Sequence, residues 1–336
     1  MYLTDKKVAV MGAAGAIGSN MVQDLLSTGV AGNIAMYDPF EQGLEGAAEE
    51  IYHCAYPGAR VTWTTDVAKA LDGASYILSS GGAPRKEGMT REDLLRGNCE
   101  IAKGLGEDIR RYAPNAEFAV IIFNPADITG LTTLLYSGLW PGCVSTLAAL
   151  DSTRLQTKLA QHFGVQQDSV TGCTTYGGHG EQMAVFKGNL AIQGVKLNDI
   201  LNGATVNGRG LSAEEWADIK KFITGGGARI IKLRGRSSYQ SPSHQTVEML
   251  RGRIRNGGYP WPCGFYFKDG PYANVMMAAD TQFTPDGLVG TIPHGDDEDM
   301  AALQTSYGHL CKLRDEVIAA GILPPVSGWK SLNPNV

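Results

Sequence analysis

No Cys-x-x-Cys pair occurs in this sequence; its six cysteines, at 54, 99, 143, 173, 263 and 311, are scattered along 336 residues. That spacing argues against a zinc knuckle and against a disulfide framework, so all six are expected to be buried thiols. Long apolar runs are missing as well. The most hydrophobic short stretches, such as "FAVIIF" at 118–123, fall well short of the ~20 residues a membrane span needs. There is no excess of positive charge: 29 basic side chains face 34 acidic ones, for a net charge of -5, and the basic residues form no stripe. Nucleic acid is therefore not an expected partner, and any anion site must be local. Internal repeats and low-complexity segments are absent too. The N-terminal "MYLTDKKVAV" enters a strand pattern at once, without the apolar core of a signal peptide, which makes the cytoplasm the expected compartment.

What is present points to a globular protein of about two domains, with 43% hydrophobic residues to fill its cores. The first half alternates short β-rich runs with helical patterns: 7–12, 33–38, 60–66, 76–82, 118–124 and 144–151. Runs apolar on both faces and separated by helices predict a parallel sheet covered on two sides. The expectation is an α/β fold: a Rossmann-type doubly wound domain over residues 1–150, then a mixed α+β substrate domain over 151–336. In the second part the patterns predict helices at 152–163, 213–232, 241–256 and 297–320, a hairpin near "LAIQGVKL", and β-like runs at 263–268 and 274–283. The tail "LPPVSGWKSLNPNV" reads as a surface strap.

The first strand runs straight into "GAAGAIGSNMVQDLL", which places Gly12, Gly15 and Gly18 in a G-x-x-G-x-x-G loop, with Ala16 and Ile17 inside it. Such a loop lets backbone approach a pyrophosphate whose charge meets a helix N-terminus. Asp38 closes the second strand twenty residues after Gly18, where a carboxylate accepts hydrogen bonds from both adenosine ribose hydroxyls and repels a 2'-phosphate. NAD is thus the expected cofactor, in preference to NADP. Short-chain reductases share this glycine spacing but need Tyr-x-x-x-Lys, and none occurs past the glycine loop.

Three further segments carry chemistry. In "GGAPRKEGMTREDLLRGN" (81–98), Arg85 and Arg91 stand in a stretch opened by Gly81 and Gly82 and interrupted by Gly88, two cations beside flexible hinges. "LDSTR" (150–154) offers Asp151 and Arg154 three residues apart, and "YGGHGEQM" presents His179 between glycines. An aspartate, an arginine and a histidine in these settings suggest an acid/base pair with an anion clamp.

Together, "GGAPRKEGMTREDLL", "NPADI", "LDSTR" and "GGHGEQM", following the glycine loop and Asp38, resemble the lactate/malate dehydrogenase family, specifically its malate dehydrogenase branch. The resemblance covers about residues 7–255, and the segment "GYPWPCGFYFKDGPYANVMMAADTQF" departs from it. It implies that Arg154 grips the carboxylate next to the reacting carbon, that Arg91 polarises the carbonyl, that Asn124 adds a hydrogen bond, and that Arg85 pairs with a second carboxylate. It further implies that His179 moves the hydroxyl proton with Asp151 in support, and that Gly81, Gly82, Asn98, Ile122 and Asn124 touch the cofactor. Residues 81–98 become a lid closing over malate or oxaloacetate. A lactate dehydrogenase would carry a neutral residue in place of Arg85. A scaffold that had kept only NAD binding would have drifted at His179, Asp151 or Arg154. The family also implies a homodimer or homotetramer.

The remaining motifs draw plainer readings. Ser237, in "RGRSSYQSP", is assigned to the border of the substrate pocket. Histidines 53, 162, 244, 294 and 309 have no partner at metal spacing, "HGDDED" (294–299) reads as an acidic helix cap, and no metal is expected.

Overall fold

The computed structural model describes residues 1–83, 90–180 and 182–336. Arg85 and Gly88, both singled out above, lie outside the described residues.

Six parallel strands form the first sheet: β1 (Lys7–Met11), β2 (Asn33–Tyr37), β3 (Arg60–Thr64), β4 (Ala74–Ser79), β5 (Phe118–Ile121) and β6 (Val144–Thr146). Their order is β3-β2-β1-β4-β5-β6. Val8 to Val10 and Phe118 to Ile121 are fully buried, because helices cover both faces: α1 (Ala16–Ser27), α2 (Glu41–His53), α3 (Val67–Leu71), α4 (Arg91–Tyr112) and α5 (Ala126–Ser137). In α1 the buried Gly18, Met21, Val22, Leu25 and Leu26 recur at the three-to-four spacing of one helix face. Thr90 starts α4 with a capping box shared with Asp93. Strand order reverses between β1 and β4, so the crossover loops part there and leave a crevice at the C-terminal strand ends.

Beyond β6 follow α6 (Ala149–Phe163), β7 (Val170–Thr171), β8 (Thr174–Tyr176), β9 (Ala184–Phe186), β10 (Ala191–Ile192), β11 (Val195–Lys196), α7 (Leu197–Leu201), α8 (Ala213–Thr224), α9 (Gly226–Arg234), α10 (Gln240–Arg255), β12 (Cys263–Phe267), β13 (Val275–Thr284), β14 (Gly287–Thr291), α11 (Asp297–Ala319) and α12 (Trp329–Leu332). β12, β13 and β14 form an antiparallel meander, and β10 pairs with both β7 and β11. This is the expected α/β sheet followed by a mixed α+β part.

Several expectations need correction. The continuous helix expected over 213–232 is two helices, α8 and α9, broken at Gly225, where three successive glycines (Gly225–Gly227) weaken the helix. The strand expected to run through 151 ends at Thr146, which leaves Asp151 in the first turn of α6. Not every cysteine is buried: Cys54 is exposed and Cys143 and Cys311 are partly so. Cys54 follows the last turn of α2, off the face that packs on the sheet. The tail is more than a surface strap. Trp329, Asn333 and Val336 are buried, and the Asn333 side-chain amide donates to the carbonyls of Leu134 and Leu139 at 2.9 Å each. The "HGDDED" segment does cap a helix: Asp296 and Asp299 form a capping box at the start of α11.

Candidate active site

The first half of the site is a cleft of about 360 Å³ at the β1/β4 crevice, lined among others by Gly12, Gly15, Asp38, Gly81 and Gly82. Its glycines are fixed by backbone proximity. A Cβ on Gly12, which has φ +86°, would meet the Gly81 Cα at 2.7 Å, and one on Gly18 would meet the Gly12 carbonyl oxygen at 2.2 Å. At Gly82 a Cβ would meet the Phe123 Cβ at 2.5 Å. Gly15 starts α1 with no side-chain cap and no acidic residue in the first turn. The positive end of the helix dipole is therefore left for an external anion. Asp38 stands beside this turn, accepting from the Ala14 N–H at 3.2 Å and the Phe40 N–H at 3.0 Å. Val67, Ile101 and Leu105 supply apolar wall further along. Tight glycine backbone, an uncapped helix start, a carboxylate and an apolar slot fit the pyrophosphate, ribose and adenine of a dinucleotide.

Asn98, expected at the cofactor, is buried and bonded on both sides of its amide. Its Oδ1 accepts from the Ala83 N–H at 2.8 Å and its Nδ2 donates to the Asn124 carbonyl at 2.6 Å. The buried amide thus ties the start of the 81–98 segment to the end of β5. Ile122 is half-buried and Asn124 exposed, the latter preceding a cis Pro125. Arg91 opens α4 and is exposed, while Ser237 is exposed in the link between α9 and α10. A contact from this region reaches back to the glycine loop: the Ser243 hydroxyl of α10 donates to the Ile17 carbonyl at 2.9 Å.

The second half centres on Asp151, whose side chain is only 3% exposed. Its Oδ1 accepts from Arg154 Nη1 at 2.5 Å, and its Oδ2 lies 2.6 Å from His179 Nδ1. One turn of α6 brings Asp151 and Arg154 to the same face. Packing brings His179 to them. Gly177 exchanges backbone hydrogen bonds with Ala278 of β13, the Gly178 N–H donates to Ser306 Oγ of α11 at 2.8 Å, and the His179 N–H donates to Asp127 Oδ2 of α5 at 2.8 Å. Ser152 locks α6 to β8, accepting the Thr175 N–H and sharing a hydroxyl contact with Thr175, both at 3.0 Å. Glycine is required at 177, where φ is +80° and a Cβ would meet Ser306 Oγ at 2.4 Å. Behind Arg154, a Cβ on Gly226 would meet its Cδ at 2.8 Å, so the glycine that opens α9 makes room for the guanidinium.

Charge follows from this geometry. The Asp151 carboxylate raises the His179 pKa above its ordinary value, prevailing over the burial that lowers it. Burial would raise that of Asp151, but His179 and Arg154 outweigh it and hold the carboxyl below its usual range. With Nδ1 engaged by Asp151, His179 keeps Nε2 for a reacting group, and one edge of its side chain, 28% exposed, is reachable from outside. Sequence reading missed Asp127, Ser152, Thr175, Ser243 and Ser306. Asp127 stood inside the quoted "NPADI", but an acid in the first turn of a helix reads as a dipole partner; the others had no local signal. Among the described residues no cluster of three or more His, Cys, Asp or Glu side chains could hold a metal, and no helix is long and apolar enough to cross a membrane.

A crevice fit for a dinucleotide, and a histidine–aspartate pair with an adjoining arginine, are the parts of an oxidoreductase. Residues 6–144 match the NAD binding domain of the lactate/malate dehydrogenase family and residues 148–268 match its alpha/beta C-terminal domain. The chain belongs to the lactate/malate dehydrogenase family, and its cofactor is NAD. Solved structures agree in fold. A malate dehydrogenase from Picrophilus torridus is 27% identical, with a TM-score of 0.80 over 95% of this chain and 98% of that one. A malate dehydrogenase from Cryptosporidium parvum is 25% identical, with a TM-score of 0.84 over 94% and 100%. A lactate dehydrogenase from Cryptosporidium parvum, complexed with lactic acid and NAD, is 24% identical, with a TM-score of 0.84 over 93% and 98%. The family match itself reaches residue 268, inside the segment 258–283 expected to depart from it, and the structural coverage extends further.

Proposed function

We propose that this protein is a malate dehydrogenase, interconverting (S)-malate and oxaloacetate with NAD. The observation that carries the reading is the buried carboxylate of Asp151 held between a histidine and an arginine. It places a proton-transfer group and a carboxylate-binding group side by side, which suits a 2-hydroxy acid. In the oxidation direction His179 Nε2 takes the hydroxyl proton, and Asp151 fixes the tautomer through Nδ1 and stabilises the imidazolium. Arg154 holds the substrate's C1 carboxylate through a planar fork that lysine lacks. Arg91 and Asn124 donate to the carbonyl oxygen, and Ser237 borders the pocket. Gly12, Gly15, Ala16, Ile17 and Gly18 hold the pyrophosphate, Asp38 the ribose, and the Gly81–Gly82 and Ile122–Asn124 edges the remainder. The nicotinamide, when bound, supplies the hydride acceptor. The reading includes a cytoplasmic homodimer or homotetramer of carboxylic acid metabolism, with residues 1–150 and 151–336 as its two domains.

Malate is chosen over lactate on Arg85 in "GGAPRKEGMTREDLL", the residue to which the family resemblance gives the second carboxylate of a dicarboxylic acid. The test is NADH oxidation with oxaloacetate and with pyruvate, followed by loss of absorbance. Oxaloacetate should lead by roughly 10²-fold or more in kcat/KM, since a site built for a polar group rejects an analogue that lacks it. A lead for pyruvate would make the protein a lactate dehydrogenase.

Asp38→Ala tests the cofactor assignment. It removes two ribose hydrogen bonds and the repulsion of a 2'-phosphate, so NAD binding should weaken by roughly tenfold or more while NADP gains relative to it. The NAD-to-NADP ratio is the informative quantity, because loss of the Ala14 and Phe40 contacts loosens the loop for both cofactors alike. A wild-type protein that already prefers NADP would contradict the role given to Asp38.

A further inference from the structure

Asp127 has no part in the chemistry described so far, yet it is the second residue of α5, only 4% exposed. Its Oδ2 accepts the His179 backbone N–H at 2.8 Å, across 52 residues of sequence. A backbone N–H asks only for an acceptor, and a neutral amide or hydroxyl would satisfy it at a smaller desolvation cost than a carboxylate. A carboxylate at this place makes sense if the group it faces becomes positive. Among the described residues, the charged and titratable groups around it are Asp151 and Arg154 from α6 and His179 itself. From α11, the residues packed on Gly177 and Gly178 are Leu303, Ser306 and Leu310, all uncharged.

We propose that Asp127 is a positioning residue for the reaction, pinning the backbone of His179 over Asp151 and placing a second negative charge behind the imidazole; this rests on the reading of His179 as the proton-transfer group. The two effects come from one side chain but are separable. Pinning needs the hydrogen bond, whereas the field needs the charge. Burial pushes the Asp127 carboxyl up to about 6, against the His179 N–H bond that lowers it. Above that pH it is ionised, and in that form it raises the His179 pKa alongside Asp151. His179 is then tethered at both ends, through Nδ1 to α6 and through its backbone to α5, so the base sits between the helix that follows β5 and the helix that follows β6.

Two variants divide the effects. Asp127→Asn keeps a carbonyl acceptor and removes the charge; Asp127→Ala removes both. Asp127→Ala should lower kcat roughly 100-fold, the size of loss that accompanies an ångström of misplacement in a catalytic group, and Asp127→Asn should recover most of it. In Asp127→Asn the His179 pKa, followed by histidine-selective NMR titration of the full-length protein, should fall by about 0.5 to 1 unit. The acid limb of hydroxy acid oxidation should move to lower pH by the same amount. A purely structural acceptor would move neither. The NMR titration needs no substrate, so a wild-type protein that turns over no 2-hydroxy acid would refute the dehydrogenase reading while the pKa still decides the field from Asp127. An unchanged His179 pKa in Asp127→Asn, a failure of Asn to recover kcat, or a fully active Asp127→Ala would each overturn the proposal. If Asp127→Ala does not fold, the Asp127→Asn pKa and pH limb still decide it.

Discussion

Replacing His179 by asparagine is expected to reduce turnover by roughly 10²- to 10⁴-fold, the usual contribution of a positioned general acid or base, with NADH binding retained. Asparagine keeps side-chain polarity but cannot exchange a proton near neutral pH. The glycine loop and Asp38 are untouched by the change, and Arg154 keeps its bond to Asp151. The measurement is steady-state turnover alongside NADH binding by fluorescence, and near-normal rates in the variant would remove His179 from the mechanism. The wild-type pH profile carries the same assignment with a definite sign. His179 has a raised pKa and must start unprotonated to accept the hydroxyl proton. Malate oxidation should therefore be full above that pKa and fall as pH drops through it. Oxaloacetate reduction needs the imidazolium, so it should be full below the same pKa and fall as pH rises. A flat oxidation profile between about pH 5.5 and 9 would count against the base.

Arg85→Gln should cut kcat/KM for oxaloacetate by roughly 30-fold to a few thousand-fold. The estimate starts from the ~2 to 5 kcal/mol lost when a desolvated carboxylate loses its guanidinium partner, converted at about 1.4 kcal/mol per decade. Pyruvate, which has a methyl group where oxaloacetate has its second carboxylate, should lose nothing comparable. Arg91→Gln is the control. If Arg91 polarises the carbonyl, both keto acids should suffer alike, because both carry that carbonyl. The comparison is of kcat/KM for the two substrates in the wild type and both variants. An oxaloacetate-to-pyruvate ratio that does not move in Arg85→Gln would take away the main support for malate over lactate.

The sequence by itself determined whatever depends on neighbouring residues. The glycine loop was legible because close backbone approach tolerates no Cβ, and Gly12 and Gly18 meet that condition in the fold. Apolar runs at two-sided strands were legible because burial on both faces leaves no polar alternation. Asp151 and Arg154 were legible as a pair because three residues apart on a helix is one face. Element ends were less so: α8 and α9 share one apolar pattern, and only the backbone freedom of Gly225 to Gly227 separates them.

Tertiary structure decided everything that joins distant segments. Nothing near residue 179 announces that its ring nitrogen will face a carboxylate 28 residues earlier, that its N–H will find Asp127 52 residues away, or that Gly178 will donate to a serine 128 residues on. Those contacts arise because β8 packs on α6 and β13 while β9 packs on α11, and the packing carries polar groups with it. Once buried, each needs a partner, and the cost of leaving one unpaired selects the register in which all are satisfied. Local chemistry therefore singled out His179, Asp151 and Arg154, and burial across the whole chain set the distances at which they meet.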